Sequence, residues 1–481
     1  MPEIAFHGAA GTVTGSRYLV TSRGRRGVGA GASGGPGAAD ERVLVDCGMY
    51  QGLKELRLRN WEPPPFDAAD LPFVILTHTH IDHSGLLPRL VRQGFKGAII
   101  STPATFELAR LLLMDAAKLQ EEDAAFLNRK SLSKHAPALP LFDAADAQKA
   151  LDQFTVRPYG EWTELPERIS FRFLNAGHLL GSAMIEMRVR ENGAETSILF
   201  SGDLGRFDVP LNPDPDPPPA TDYMVLESTY GDRTHPKDSL YDQVERVVRA
   251  ALSRRGIVVI PAFAVGRAQQ IIYVLNVLIE QGRLPAMPIH LDSPMAVEAT
   301  RIYARHPAEQ ESKGELTARN VICHRTVEES KALNDFEGPG ILISSSGMLA
   351  GGRILHHLKR LLPDPRTTLV LIGYQAAGTR GRALTDGAKT IRIHGQDVPV
   401  RAHLEDLGGF SGHADTDEIV AWLGRLAKPP KTIFLTHGEP DSALALAERL
   451  RRERGLTVRV PRLGEIVPLE TRAAPPPAQP R

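Results

Sequence analysis

The chain has 481 residues with 57 Lys or Arg and 57 Asp or Glu, so its formal net charge is zero. This length suggests two or three domains. The charge balance excludes a general basic surface for nucleic acid but leaves a local one open. The two cysteines, Cys47 and Cys323, favour a cytoplasmic protein without a disulfide scaffold. We expect no signal peptide at residues 1–7 and no membrane span.

The first half of the chain predicts strands and helices interrupted by segments of biased composition. Residues 4–21 predict a strand hairpin, and residues 22–41 predict a mobile loop rich in Gly, Ala and Arg. Helices are predicted over residues 84–90 and 106–130. The Pro- and Ala-rich residues 471–481 predict a disordered tail.

From Gly256 onward, strand-like runs alternate with helix-like runs. The strand-like runs are 257–263, 289–292, 321–323, 341–344 and 369–373, and the helix-like runs are 265–280, 295–306, 327–335 and 352–362. This alternation predicts successive β-α-β units and therefore a mostly parallel sheet with helices on both faces.

A run of sequence THTHIDH begins at Thr77, after an apolar strand-like stretch. His78 and His80 are two residues apart, so they point to the same side of a strand end. Asp82 and His83 are expected in the following turn. Three imidazoles and a carboxylate within six residues supply the donors of a two-metal hydrolytic site. A His-rich surface loop is the plain alternative.

Four further donors stand where an apolar strand-like run meets a Gly-containing loop: Asp46, His178, Asp203 and His437. This is where α/β folds place chemistry, because the strands are rigid and the loop backbone can approach a ligand. We therefore expect all of these donors to belong to one site.

The THTHIDH run resembles the H-x-H-x-D-H motif of the metallo-β-lactamase superfamily. Residues 225–233, residues 409–415 and the segment around His437 resemble motifs A, B and C of its β-CASP subgroup. The likeness includes PAFAVGR at 261–267 and SSSGM at 344–348, and it extends over nearly the whole chain. Within this subgroup, the chain most resembles the compact bacterial ribonucleases related to the cleavage subunit of eukaryotic pre-mRNA 3′-end processing.

The resemblance implies an α/β fold: a metallo-β-lactamase αββα sandwich with an inserted β-CASP domain, whose parallel sheet is flanked by helices. The implied limits are 1–228 and 404–470 for the two parts of the sandwich, 229–403 for the insertion and 471–481 for the tail. The active site is expected in the cleft between the two domains.

The resemblance also implies the metal ligands. One ion is expected on His78, His80 and His178, a second on Asp82, His83 and His437, and Asp203 is expected to bridge them. Asp46 is expected to orient a ligand imidazole instead of binding metal. An imidazole-rich site without thiolates favours two zinc ions, with manganese left open.

For catalysis, the resemblance implies a hydroxide that is shared by the two ions and attacks a phosphodiester. Asp82 and Asp203 belong to this machinery. His413 is the expected general acid for the leaving oxygen, and Glu227 is expected to hold and charge its imidazole. The alternative for His413 is a purely structural histidine.

Phosphate contacts are expected at two strand-to-helix junctions of the insertion, from Arg267 and from Ser345, Ser346 and Gly347, because helix starts bind anions. Ser411 is a further candidate, and Arg353 and Arg380 are expected to add forked donors. The alternative for the Gly and Ser residues is that they form ordinary caps and turns.

Together these features predict a metal-dependent ribonuclease, acting as an endonuclease with 5′-exonuclease activity left open. The expected partner is single-stranded RNA, with no membrane and with a homodimer left open. Two alternatives remain at this point: a hydrolase of small esters or phosphodiesters, and a non-catalytic scaffold of an RNA-processing complex. The sequence leaves open which RNAs are cut and whether DNA is accepted.

Overall fold

The structure is a computed structural model. It describes residues 1–24, 40–131, 135–166, 168–373, 375 and 378–473. Residues 25–39 of the predicted loop and residues 474–481 of the predicted tail lie outside the described residues. None of the described helices is long and apolar enough to cross a lipid bilayer.

The described elements alternate along the chain. The strands are β1 (Glu3–Phe6), β2 (Tyr18–Ser22), β3 (Glu41–Val45), β4 (Phe73–Ile75), β5 (Ala98–Ser101), β6 (Phe154–Val156), β7 (Thr163–Glu164), β8 (Ile169–Asn175), β9 (Ala183–Glu191), β10 (Ala194–Phe200), β11 (Tyr223–Glu227), β12 (Ile257–Pro261), β13 (Ile289–Asp292), β14 (Val321–Cys323), β15 (Gly340–Ser344), β16 (Thr368–Leu371), β17 (Thr390–Ile393), β18 (Gln396–Pro399), β19 (His403–Asp406), β20 (Thr432–Thr436), β21 (Val458–Arg459), β22 (Ile466–Pro468) and β23 (Arg472–Ala473). The helices are α1 (Lys54–Arg59), α2 (Ile81–Ser84), α3 (Leu87–Arg92), α4 (Pro103–Lys130), α5 (Ala144–Leu151), α6 (Leu240–Ser253), α7 (Arg267–Glu280), α8 (Pro294–Arg305), α9 (Val327–Ala332), α10 (Arg353–Leu361), α11 (Arg380–Thr385), α12 (Thr416–Leu423) and α13 (Pro440–Arg454).

The chain forms two compact units. The first contains Met1–Phe207, Asp214–Thr234 and His413–Arg481, and the second contains Asp208–Pro213 and His235–Gly412. The limits of 229–403 for the insertion and the position of the active site in a cleft stay predictions.

The first unit is a sandwich of two sheets, with strand orders β22-β1-β2-β3-β4-β5-β6 and β21-β20-β11-β10-β9-β8-β7. The facing sides of the sheets form one core, to which each strand contributes alternate residues because successive side chains point to opposite faces. In β8, for example, Ile169, Phe171 and Phe173 are all completely buried in this core.

Helices cover the outer face of each sheet. Leu87 of α3, Leu113 of α4 and Ala147 of α5 pack in one cluster on the first sheet. Trp422 of α12 and Leu446 of α13 pack on the second sheet. The layer order is therefore αββα, which confirms the predicted fold.

The second unit is built around a six-stranded sheet of order β14-β13-β15-β12-β16-β19. Every neighbouring pair in this sheet is parallel, as predicted. Helix α10 packs on one face through Leu355 and Leu358. Val258 and Ile260 of β12 alternate with the residues of that face and are also buried, so both faces of the sheet are covered.

The prediction of one helix over 84–90 is wrong. Two short helices, α2 and α3, are separated by a break at Leu86, because the Leu86 amide donates to the Cys47 carbonyl (2.9 Å) and leaves the helical hydrogen-bond pattern. A consequence is that Asp82 and His83 lie within α2 and not in a turn.

The start of the predicted disordered tail is also ordered. Ala473 and Arg472 form β23 against Ala194 and Glu195 of β10. These residues of β10 precede Ile198, where pairing with β11 begins, so they have backbone groups free to bind another strand.

Candidate metal centre and active site

Three candidate site residues follow neighbouring parallel strands of the second sheet. β10 pairs with β11, and β11 pairs with β20. Asp203 lies three residues after β10, Glu227 ends β11, and His437 directly follows β20. Because the carboxyl ends of parallel strands lie at the same edge of a sheet, the topology brings these three side chains together.

A glycine allows the loop after β10 to pack against the histidine-bearing loop. Gly202 has a φ of +53°, and a Cβ added to it would lie 2.8 Å from the Cβ of Thr77. Only glycine adopts this backbone and this close approach without strain. Gly202 thus places Asp203 beside the THTHIDH run.

A first donor group consists of His78, His80, His178 and Asp203, whose ligand atoms lie within 4.8 Å of one another. His80 Nδ1 lies 3.1 Å from His78 Nε2 and 3.3 Å from His178 Nε2. Asp203 Oδ2 lies 3.3 Å from His78 Nε2 and 3.6 Å from His178 Nε2. Three imidazole nitrogens and one carboxylate oxygen thus lie close together.

A second donor group consists of Asp82, His83 and His437. His437 Nε2 lies 3.2 Å from His83 Nε2 and 3.5 Å from Asp82 Oδ2. The other oxygen of Asp203, Oδ1, lies 3.1 Å from His83 Nε2 and 3.5 Å from His437 Nδ1. Asp203 therefore faces both donor groups, one with each oxygen.

The charges of the first donor group suit a cation. Burial and the neighbouring His78 lower the pKa of His80 to about 3. Burial and His413 lower the pKa of His178 well below its usual value. Burial alone raises the pKa of Asp203, but His437 and the other nearby imidazoles hold it well below its ordinary range. Neutral imidazoles and an ionised carboxylate are the protonation states that bind metal. In the second group, burial lowers the pKa of His83, but Asp203 and Asp46 outweigh it and hold that pKa well above its usual value.

An unsatisfied carboxylate oxygen also indicates that the donors bind a divalent metal ion. Asp203 Oδ1 is buried and accepts no hydrogen bond from the described residues. Such an atom is costly unless a cation or a donor compensates it. Imidazole and carboxylate donors without a thiolate are a set that binds divalent metals.

Asp46 contacts His83 of the second donor group through the ring nitrogen that faces away from the other donors. Its Oδ2 lies 2.7 Å from His83 Nδ1, while Oδ1 accepts from the Thr77 amide at 2.8 Å. The Thr77 hydroxyl also donates to Asp46 and lies 3.1 Å from His78 Nδ1. These contacts leave Nε2 of His83 facing the site. Asp46 is therefore placed to orient a ligand imidazole, and this predicted role stays a prediction.

Two residues of the site have a left-handed backbone. Asp46 has a φ of 59° and His437 a φ of 48°, a conformation that is uncommon for residues other than glycine. Their amides are held by the carbonyls of Ile75 (3.0 Å) and Ala9 (2.7 Å). The surrounding strands thus impose the backbone that aims both side chains inward.

His413 lies beside the donor groups and contacts a second carboxylate. Its Nδ1 is 3.1 Å from Glu227 Oε1 and 3.9 Å from Asp203 Oδ2. The amides of Leu204 (2.7 Å) and Thr229 (3.3 Å) donate to the two oxygens of Glu227 and fix it. The structure thus brings His413 and Glu227 together, as expected for a general acid and its partner.

Thr229 is a site residue that was not predicted from the sequence. Its hydroxyl lies 3.1 Å from His437 Nδ1 and donates to the His437 carbonyl at 3.0 Å. It therefore links motif A to the motif C histidine. Thr229 lies two residues after Glu227, and residues two apart in an extended segment point to the same side. This spacing could have predicted that Thr229 faces the site.

The predicted phosphate-binding residues lie in the second unit. Parallel pairing places Pro261 opposite Ser344, and a Cβ on Gly347 would lie 3.1 Å from the Phe263 ring. The junction that contains Arg267 and the junction that contains Ser345, Ser346 and Gly347 are therefore neighbours. Ser411 is buried in the same unit.

Arg353 and Arg380 have structural partners, and their expected role as phosphate donors stays a prediction. Arg353 donates to buried Asp292 at 2.8 Å and to the Arg325 carbonyl at 2.7 Å. Arg380 donates to the carbonyls of Arg392 (2.7 Å) and Leu349 (3.0 Å). Both guanidinium groups are occupied by long-range contacts that the sequence does not reveal.

The chain matches three family models. They are described as the metallo-beta-lactamase superfamily over residues 37–249, the Beta-Casp domain over residues 268–384, and the Zn-dependent metallo-hydrolase RNA specificity domain over residues 397–461. The fold and the donor cluster thus define a metallo-hydrolase.

Curated relatives extend the match over almost the whole chain. Ribonuclease TTHA0252 of Thermus thermophilus is 40% identical over 474 residues, which cover 96% of this chain and 99% of the relative. The transcription termination factor FttA of Pyrococcus abyssi is 34% identical over 87% of this chain and 66% of its own length. The chain belongs to the β-CASP ribonucleases of the metallo-β-lactamase superfamily.

Asp203→Asn is expected to remove most of the bound divalent metal, because it removes the charge that faces both donor groups. Elemental analysis of purified, dialysed protein measures this, with circular dichroism to verify folding. Glu227→Gln, a neighbouring buried carboxylate outside the donor groups, is the matched control and should keep its metal. Full metal content in Asp203→Asn would exclude the assigned role.

Proposed function

We propose that this protein hydrolyses RNA phosphodiester bonds at the metal centre of the first unit. The observation that carries the proposal is the convergence of the two donor groups on Asp203, with His413 alongside. The match to ribonuclease TTHA0252 over 99% of that relative supports RNA as the substrate. So does the match to the RNA specificity domain.

We propose two ions, with zinc as the metal, because the donors form two groups and each group faces one oxygen of Asp203. His78, His80 and His178 would hold one ion, and Asp82, His83 and His437 the other. Bound divalent ions lower the pKa of water toward neutrality and offset the negative charge of a phosphodiester. Asp46 keeps the His83 ring oriented through its contact with Nδ1.

His413 supplies the proton for the leaving oxygen. Glu227 next to Nδ1 favours a hydrogen on that nitrogen and stabilises the imidazolium. The proton that is transferred is therefore the one on Nε2. The His413 side chain is 21% exposed, whereas that of Asp203 is 1% exposed, so His413 is the more accessible of the two to substrate.

The RNA backbone is held by the second unit in this proposal. Arg267, Ser345, Ser346, Gly347 and Ser411 would contact phosphates. The proximity of the Arg267 junction to the Ser345–Gly347 junction supports one continuous phosphate path. Ser345 and Ser346 also have local roles, since Ser345 donates to Ser293 (3.1 Å) and Ser346 accepts from the Ala350 amide (3.1 Å).

Two other functions are less well supported. A hydrolase of small esters does not explain a second unit with its own parallel sheet. A non-catalytic scaffold predicts missing donors, whereas every donor and the His413–Glu227 pair are present. Endonucleolytic cutting of single-stranded RNA, a cytoplasmic location and a homodimer belong to the proposal as expectations, to be tested with circular RNA, cell fractionation and sedimentation.

His413→Ala should keep its metal and its RNA affinity but lose about 10²–10⁴-fold in cleavage rate, the usual contribution of a general acid. A diester with a p-nitrophenolate leaving group needs little protonation, so its hydrolysis should fall much less. His403→Ala, an exposed histidine of the second unit, is the control. Equal losses on both substrates would contradict the proton-donor role.

Arg267→Ala should weaken RNA binding and make it less dependent on salt. Each phosphate contact to a single strand contributes about −0.7 to the slope of log K against log salt, so the slope should become shallower by about that amount. Arg301→Ala, which removes an exposed arginine paired with Glu298 at 3.0 Å, is the control. An unchanged slope for Arg267→Ala would exclude this contact.

A further inference from the structure

The segment between Gln51 and Arg59 is an exposed protrusion of the first unit. It contains α1, which has no buried residue, and Leu53 and Leu58 are 68% and 55% exposed. A segment that buries nothing gains no stability from packing, so large exposed apolar side chains there indicate a binding surface. We call residues 51–61 the α1 protrusion.

The base of the α1 protrusion is rigid. The Tyr50 amide donates to Asn60 Oδ1, and Asn60 Nδ2 donates to the Tyr50 carbonyl, both at 2.8 Å. Asn60 is buried and Tyr50 is almost completely so. Two reciprocal hydrogen bonds thus close the loop, as in compact surface loops that carry function.

Trp61 is held next to this closure with part of its ring exposed. Its amide donates to Leu58 (3.0 Å) and its carbonyl accepts from Arg89 (2.7 Å). The Arg89 guanidinium also lies 5.6 Å from the ring centroid, yet 49% of Trp61 remains exposed. The result is a fixed, half-exposed indole supported by a cation.

The surroundings of Trp61 are positively charged, unlike the chain as a whole. The α1 protrusion contributes three cations, Lys54, Arg57 and Arg59, and Arg89 contacts Trp61. Two carboxylates, Glu55 and Glu62, offset only part of this charge, so the local net charge is positive. Within the described part of the chain, no ion pair involves Lys54, Arg57 or Arg59. The Arg59 guanidinium lies 5.8 Å from the centroid of the Tyr50 ring. An aromatic platform with adjacent cations that have no carboxylate partner is the combination that binds single-stranded nucleic acid.

The α1 protrusion starts beside the metal-binding run. The Cys47 amide donates to the His83 carbonyl (2.7 Å), and the Met49 amide donates to the Ile81 carbonyl (2.9 Å). Leu53 is four residues from Met49, which an extended chain spans in at most about 14 Å. The start of the α1 protrusion is therefore close enough to the metal-binding run for a strand bound at the metal centre to reach it.

We propose that the α1 protrusion binds the RNA strand next to the cut. Trp61 stacks on a base, and Arg57 and Arg59 contact the adjoining phosphates. This inference rests on the proposed function. It assigns a nucleotide-binding surface to the first unit, separate from the phosphate contacts of the second.

The test compares Trp61→Ala with Trp162→Ala. Trp162 also belongs to the first unit, is partly buried and has an arginine, Arg188, 3.9 Å from its ring centroid. Fluorescence anisotropy measures the Kd for a labelled 20-nucleotide single strand. We expect Trp61→Ala to weaken binding by about 5- to 100-fold, the range of one base stack, with Trp61→Phe restoring most of the affinity and Trp162→Ala unchanged.

A double variant, Arg57→Gln with Arg59→Gln, provides a second test if Trp61→Ala fails to fold, because α1, which contains both arginines, has no buried residue. It should make the salt slope shallower by about 1.4, the contribution of two single-strand contacts. Equal Kd values for Trp61→Ala and Trp162→Ala, or an unchanged slope, would overturn the inference. A change in sedimentation with unchanged RNA affinity would assign the surface to a second copy of the chain and overturn it as well.

Failure of the inference and failure of the proposed function give different results. If the wild-type chain does not cut RNA, the proposed function fails. If the wild-type chain cuts RNA and the protrusion variants bind it as tightly as wild type does, only the inference fails.

Discussion

The buried carboxylate of Asp203 is the constraint on which the rest of the first unit depends. Asp203 is 2% exposed, and its two oxygens face different groups of imidazoles at 3.1–3.6 Å. An ionised carboxylate in this position is costly unless positive charge compensates it. The loops must therefore deliver donors from distant parts of the chain to one point, and the sandwich does so by ending its strands at a common edge.

Most metal donors of the site are buried, whereas His413 is accessible from solvent. The donors of the metal centre are mostly buried and are oriented by carboxylates and hydroxyls such as those of Asp46 and Thr77. His413 is more exposed, and the fixed carboxylate of Glu227 lies 3.1 Å from its Nδ1, which in the proposed function leaves the mobile proton on Nε2. The left-handed backbones of Asp46 and His437 show that this orientation is imposed by the surrounding fold.

Much of this arrangement could be predicted from the sequence because its signals are local. The parallel sheet follows from alternating runs, and the donors from a short motif and from strand ends. The features that could not be predicted depend on contacts between distant residues. The break at Leu86 needs the Cys47 carbonyl, and the structural role of Arg353 needs Asp292, 61 residues away. The exposure of Leu53 and Trp61 is likewise invisible in composition, where both residues would be expected in a core.

The most direct test of RNA hydrolysis at this centre is the chemistry of the cut ends. Metal-stripped protein, with and without added zinc, is incubated in ¹⁸O-labelled water with an RNA that has a single 2′-deoxy position at the mapped cut. Attack by water predicts zinc-dependent cleavage at that position, one ¹⁸O atom in the new terminal phosphate and no cyclic phosphate. Cleavage that needs the 2′-hydroxyl, or that leaves a 2′,3′-cyclic phosphate without metal, would contradict this mechanism.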